Sequence, residues 1–223
     1  MSAVPRWTLL SAGAAPLFLI GGWTLAQAAR PDGFDPVRQT ISALAATDAD
    51  HRWIMTLGLA GLGLCHLITA LGLVTAATAG RGLLALGGLA TLVVAAFPQR
   101  PAGGSTTHAV AAGVAFVALA LWPALAVSHG LSPFDRRGHR HPPDGSRPSG
   151  RARGAALAGA AVLLGLVGWF AVELFSGGTR IGLAERLAAG AEAVVPLAAV
   201  LAAMVSARHG ERAAGESRRP EAR

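Results

Sequence analysis

Residues 53–77 read WIMTLGLAGLGLCHLITALGLVTAA, twenty-five positions whose only ionisable side chains are Cys65 and His66. A helix needs about 20 apolar residues to cross a hydrocarbon core roughly 30 Å thick. Period-two alternation is absent from the stretch, and backbone inside a bilayer must satisfy its own hydrogen bonds, so it reads as a membrane-spanning helix. Five more apolar stretches lie on either side, at 8–28, 82–97, 109–128, 154–175 and 184–207. The shortest, 82–97, draws on Gly82, Phe97 and Pro98 at its margins to span with little tilt. The fold class is therefore all-α, a polytopic membrane protein with six transmembrane helices in one domain over 1–207.

The composition agrees. The chain has 223 residues, 52% hydrophobic and 14% charged, against about 25% charged in soluble domains. That excludes an ordinary soluble enzyme. The single cysteine, Cys65, excludes an intrachain disulfide, a Cys-rich zinc site and a C-x-x-C redox pair. The net charge of +7 first suggests nucleic acid, but aromatic residues make up 5% of the chain, too few for base stacking. All 19 basic residues are Arg, with no Lys, Tyr or Asn, a bias of GC-rich bacterial genomes.

The position of the arginines carries the information. With the N-terminus inside, segments 1–7, 78–81, 129–153 and 208–223 hold thirteen arginines and the outer segments hold six. The positive-inside rule then places both termini in the cytoplasm of a bacterial cell, in its inner (plasma) membrane. Segment 129–153 is expected to be a basic disordered cytoplasmic loop, and 208–223 a basic cytoplasmic tail. His139 and His141 in that loop have no carboxylate or Cys ligand close by, so no metal and no cofactor is expected. A cleaved signal peptide ending at Ala26-Gln27-Ala28 is the rival reading of the first segment, whose apolar run is long for one.

The remaining polar residues collect in the outer loops. Asp35-Pro36 looks like an N-cap and first turn. Val37, Ile41, Leu44 and Ala45 then form one apolar face, with Asp35, Arg38 and Ser42 on another. The pattern predicts a short interfacial helix. Asp48 or Asp50 is expected to cap the second span, and Ser105, Thr106 or Thr107 the fourth, putting His108 in its first turn toward the outer interface. Glu173, Arg180, Glu185 and Arg186 fall at the same level around the third outer loop.

Two ionisable residues lie deeper. Glu192 sits roughly 12 Å into the sixth span and His66 roughly 20 Å into the second, at 1.5 Å per residue. Such groups are functional candidates by default. The bland reading is a protonated Glu192 and a neutral His66, each hydrogen-bonded between helices, with Glu192 using the carbonyl freed by Pro196. No H-E-x-x-H, P-loop or complete nucleophile elbow is present.

Arg30-Pro31, then Asp35-Pro-Val-Arg-Gln-Thr-Ile-Ser-Ala-Leu44 and Trp53-Ile-Met55, resembles the opening of the bacterial "domain of unknown function 998" membrane family. Phe97-Pro98 with His108 and Phe116 resembles its second signature, and Gly182-Leu-Ala-Glu-Arg186 its third. One departure is Gln99-Arg100, where relatives carry an Asp after Phe-Pro. The resemblance implies six helices and an outer polar cluster, and it supplies no activity. A more distant likeness is to eukaryotic DRAM- and Frag-type six-helix proteins linked to lipid handling.

The expected role is non-enzymatic, binding or organising lipid or envelope components at the outer face. The site candidates are Asp35, Arg38, Ser42, Arg52, His108, Glu185, Arg186 and Glu192. Arg38 and Arg186 are suited to clamping a phosphate or carboxylate. The partners are membrane lipids and proteins within the membrane, and no nucleic acid. Two alternatives stand beside it. One is a membrane enzyme acting on a lipid with His108 as base, which needs His108 within reach of Ser42 or a carboxylate. The other is a small-solute or proton-coupled transporter using Glu192 and His66, for which the inner halves of the helices offer little polarity.

Overall fold

The computed structural model describes residues 4–30, 33–100, 104–127 and 150–216, with side chains described to residue 209. His139, His141 and most of the basic linker, with the end of the tail, lie outside the described residues. Among the described residues there are seven helices and no strand: α1 (Arg6–Ala28), α2 (Ile41–Leu44), α3 (Trp53–Gly72), α4 (Thr78–Ala96), α5 (Thr106–Ala126), α6 (Gly150–Ser176) and α7 (Ile181–Glu216). Six of them, all but α2, are long and apolar enough to cross a membrane.

Two span boundaries move for a physical reason. α3 ends at Gly72 rather than at 77, because Arg81 takes over its last carbonyls, donating from Nε to Ala70 O at 2.8 Å and from Nη2 to Leu71 O at 3.1 Å. Helix ends leave such carbonyls open, and a guanidinium closes them. α4 correspondingly starts at Thr78 and gains a turn over the expected 82–97. At the other end of the chain, α7 runs on through 208–216, into the segment read as a tail.

The six long helices pack in chain order as a ring: α1 against α3, α3 against α4, α4 against α5, α5 against α6, α6 against α7, and α7 back against α1. Small residues set the closest approaches. A Cβ added at Gly63 of α3 would lie 2.7 Å from the Gly88 carbonyl oxygen of α4, and one at Gly88 would lie 2.7 Å from that of Gly63. Gly22 of α1 and Gly58 of α3 meet in the same way. In lipid, helices associate through such packing rather than through a hydrophobic driving force.

The outside of the ring is apolar. Leu10, Leu17, Leu71, Val162, Val172 and Phe175 are all more than 60% exposed, a surface that suits lipid and not water. α6 is the most peripheral helix, burying only Ala160 and Leu163. The chain is a multi-pass membrane protein. One end of the bundle gathers the C-terminal ends of α1, α4 and α6 with the N-terminal ends of α3, α5 and α7, and the site lies there.

Candidate functional site

The first loop does not form the single helix its periodicity predicts. Asp35 caps one turn, its Oδ1 accepting from the backbone N–H groups of Val37 at 2.9 Å and Arg38 at 3.3 Å. A fresh helix, α2, then starts at Thr40, whose hydroxyl accepts from Ala43 N–H. The backbone groups that a continuous helix would pair internally go to α7 instead. Pro36 O accepts from Arg186 Nη1 at 2.9 Å, Val37 O accepts from Leu183 N–H at 3.1 Å, and Ile41 N–H donates to Glu185 Oε2. Long-range partners here outcompete the local ones.

Gly182 makes this docking sterically possible, since a Cβ there would collide with the carbonyls of Gln39 and Pro36. Arg186 Nη1 also donates to Gln39 O at 2.8 Å and Gly182 O at 3.0 Å. Its guanidinium carbon lies 5.9 Å from the Trp23 ring centre and 5.4 Å from that of Phe34. Nε and Nη2 of Arg186 are buried with no hydrogen-bond partner among the described residues, and the ring faces supply the attraction instead. The Nη1 group of Arg186 is therefore committed to the loop.

The second loop closes the arrangement. Ser105 caps α5 as expected, its hydroxyl accepting from His108 N–H at 3.3 Å. His108 differs from expectation. It is 2% exposed and turns inward, with Nδ1 3.0 Å from Phe97 O and Nε2 3.2 Å from Ser42 Oγ. The Ser42 hydroxyl donates to Glu185 Oε1 at 3.2 Å. Thr47 N–H of the first loop donates to Gln99 O of the second at 3.0 Å. We call the whole assembly the clasp.

Its chemistry is constrained by proton count. A carbonyl only accepts, so His108 Nδ1 carries a proton. Ser42 has one hydroxyl hydrogen and two neighbours that can take it. The chain Glu185–Ser42–His108 is complete only with one further proton, on either the carboxyl or Nε2. The two arrangements differ in whether the Ser42 hydroxyl donates to Glu185 or to His108 Nε2.

Beneath the clasp lies a cleft lined by Leu19, Ser42, His66, Thr91, Glu185 and Glu192, with otherwise apolar walls. Its cavity volume is about 60 Å³. One water needs roughly 10–15 Å³ by this measure, so the cleft has room for a few waters and not for an acyl chain. His66 and Glu192 are 0% and 2% exposed. The interhelical hydrogen bonds expected for them are not formed: neither ring nitrogen of His66, nor Glu192 Oε1, has a partner among the described residues.

The other candidates stand apart. Arg38 is exposed, its Nε 3.7 Å from Asp35 Oδ2. Arg52 is exposed at the N-cap position of α3, with no side-chain cap, so neither Asp48 nor Asp50 caps that helix. Glu173 does not join Glu185; it accepts from Arg180 N–H at 2.9 Å and from Trp169 Nε1 at 3.2 Å. Among the described residues no group of three His, Cys, Asp or Glu side chains could hold a metal ion. The sequence reading quoted Gly182 within the third signature without giving it a role, and it missed the Phe97 carbonyl and the ring pair Trp23 and Phe34.

It also missed polarity at the opposite end of the bundle. There Ser11 Oγ and Thr69 Oγ1 are 2.9 Å apart, Ser11 donates to Thr8 O at 3.0 Å, and all three residues are buried. The expectation of little polarity in that half is corrected. Hydroxyls on Ala-rich helices blend into an apolar run, and only their shared interface reveals them.

No curated protein and no solved structure matches the chain. The family described as "Protein of unknown function (DUF998)" matches residues 12–203. That range takes in all three signature segments, and the structure brings them into contact at the clasp. The chain belongs to the DUF998 family of proteins of unknown function.

Proposed function

We propose that the protein is a non-enzymatic binding protein of the bacterial inner membrane, with its clasp end facing outward. There it recognises lipid headgroups or envelope components. The observation that supports this reading is the clasp itself. Burying a carboxyl and a guanidinium is costly unless both are well partnered. Here both serve to hold residues 33–47 in one conformation at the end of the bundle. A surface fixed in advance loses less entropy when it binds.

The loops of this end carry exposed Arg38, Arg52, Arg100 and Arg180, and guanidinium groups suit phosphate and carboxylate headgroups. The small cleft volume directs such contacts to the headgroup and away from the bundle interior. The arginine distribution supports the orientation. Native mass spectrometry after gentle extraction tests the reading. Retained anionic lipid that is lost on Arg38→Ala plus Arg52→Ala, with stability unchanged, is the expected result. Wild-type protein carrying no lipid sinks the idea.

One contact favours a second reading. The Ser42–His108 pair, with Nδ1 held by the Phe97 carbonyl, has the form of a nucleophile beside an oriented base. Against it, Glu185 occupies the Ile41 N–H that could stabilise an oxyanion. Labelling of wild-type protein by a fluorophosphonate, abolished by Ser42→Ala, would establish the enzyme. An unlabelled Ser42 removes it.

A further inference from the structure

Buried polar groups occur at every depth of the bundle. At the clasp end Glu185, Ser42 and His108 form a hydrogen-bonded chain, of which Glu185 and Ser42 line the cleft. Glu192 follows Glu185 by seven residues on α7, roughly 10 Å deeper at 1.5 Å per residue. It lines the same cleft, as does His66 of α3. Thr69 follows His66 by three residues, which puts the two side chains on neighbouring positions of one helix face, about 5–6 Å apart at Cβ.

Thr69 then meets Ser11 of α1 at 2.9 Å, and Ser11 meets Thr8 O at 3.0 Å. Thr8 is the third residue of α1, so this line reaches the opposite end of the bundle. The unpartnered atoms fall along the same line. Glu192 Oε1 and both His66 nitrogens lie in the middle, and Thr8 Oγ1 lies near the far end. Trp122 Nε1, also unpartnered, belongs to the buried cluster there with Val4, Ala12 and Ala70.

In native proteins a buried polar atom without a protein partner is commonly satisfied by water or by a ligand. The cleft has room for water and little else. Water beside an ionisable carboxyl and an imidazole is the material of a proton relay. Intramembrane acid and histidine chains of this kind mark proton pathways in general.

We propose that the protein conducts protons along this column, with Glu192 and His66 as the carriers. A proton entering through the clasp end protonates the Glu192 carboxylate. It passes through cleft water to one His66 nitrogen, and the imidazolium releases a proton from the other nitrogen toward Thr69. Hydroxyls and water at Ser11 and Thr8 deliver it to the far side. One proton enters and one leaves; Glu192 returns to the carboxylate, while His66 is left as its other neutral tautomer, and a ring flip or proton exchange through the cleft water resets it for the next proton. The ionisable groups facing the cleft are Glu185, Glu192 and His66. Arg186, bound to carbonyls, and Arg81, bound to the end of α3, stay outside the line of transfer. This inference does not depend on headgroup binding.

The test is proton uptake into vesicles of neutral phosphatidylcholine holding the full-length protein and a trapped pH dye. A potassium diffusion potential drives the flux. Wild-type protein is expected to acidify the vesicles faster than protein-free vesicles. Glu192→Gln and His66→Gln, both close in volume, are expected to cut the added flux about tenfold or more. Leu64→Ala, an exposed position on the same helix as His66, is expected to leave it unchanged, and Glu192→Gln is expected to retain whatever lipid the wild type retains, which separates this result from the lipid reading. Thr69→Val serves as a third, more conservative break in the column if either polar variant is not monodisperse. Wild-type flux equal to that of empty vesicles overturns the proposal. So does full flux in every folded variant.

Discussion

Glu185 is the residue on which the clasp turns. Its two carboxyl oxygens take the Ile41 N–H and the Ser42 hydroxyl. Removing the carboxyl strands both donors, and each buried donor left unpaired costs about 1–3 kcal/mol. Glu185→Ala is therefore expected to lower stability markedly in denaturant unfolding in detergent. Glu185→Gln is expected to stay near wild type. Its amide can accept from Ile41 and donate to Ser42, which reproduces the arrangement with the shared proton on residue 185. A Gln variant as unstable as Ala would show that the carboxylate–imidazolium arrangement is the one required. Arg186→Lys is expected to destabilise by about 1–2 kcal/mol in the same assay, because an ammonium does not stack between Trp23 and Phe34 as a guanidinium does. At this scale the sequence was informative about identities and silent about partners. Counting residues from the span ends placed Glu192 and His66 at depth. Nothing in the letters could name the Phe97 carbonyl as the partner of His108, since a backbone acceptor has no sequence identity.

At the scale of elements, the periodicity of 35–45 was real but misleading. Ile41, Leu44 and Ala45 are buried as their spacing implies, whereas Val37, the fourth member of that face, is exposed. The helix still breaks at Gln39, because α7 claims the carbonyls of Pro36 and Val37. Local pattern counts apolar faces and cannot see a guanidinium arriving from 150 residues away. The three short signatures, which looked like separate marks along the chain, are the parts of one contact. Gly182 shows the consequence. Gly182→Val is expected to push the first loop off α7, raising limited proteolysis within 33–52 while the six long helices stay folded by circular dichroism. Gly63 and Gly88 make the matching case inside the ring. Either one changed to Leu forces α3 and α4 apart, and overpacking of this kind costs about 1–3 kcal/mol. Unchanged thermal stability in both variants would contradict the packing described.

For the whole molecule, the apolar runs were enough to give the number and order of the spans, since a bilayer admits few alternatives. The closure of the ring by α7 on α1 was not legible, because no residue pattern states which helices meet. The hydroxyls of Thr8, Ser11 and Thr69 were passed over for the same reason: each is unremarkable on its own helix, and together they line a buried seam. Orientation is a whole-molecule property with its own check. Reporter fusions are expected to place the arginine-rich segment around residue 140 and the C-terminus on the cytoplasmic side.

The central claim is that the family signatures fold residues 36–45 into a clasp held by α5 and α7. Hydrogen exchange of the intact protein in lipid nanodiscs, followed by mass spectrometry, measures it directly. Wild-type amides in 36–45 are expected to exchange slowly, with Glu185→Ala releasing that segment and Arg38→Ala leaving it protected. Free-loop exchange rates across 36–45 in the wild-type protein would contradict the account.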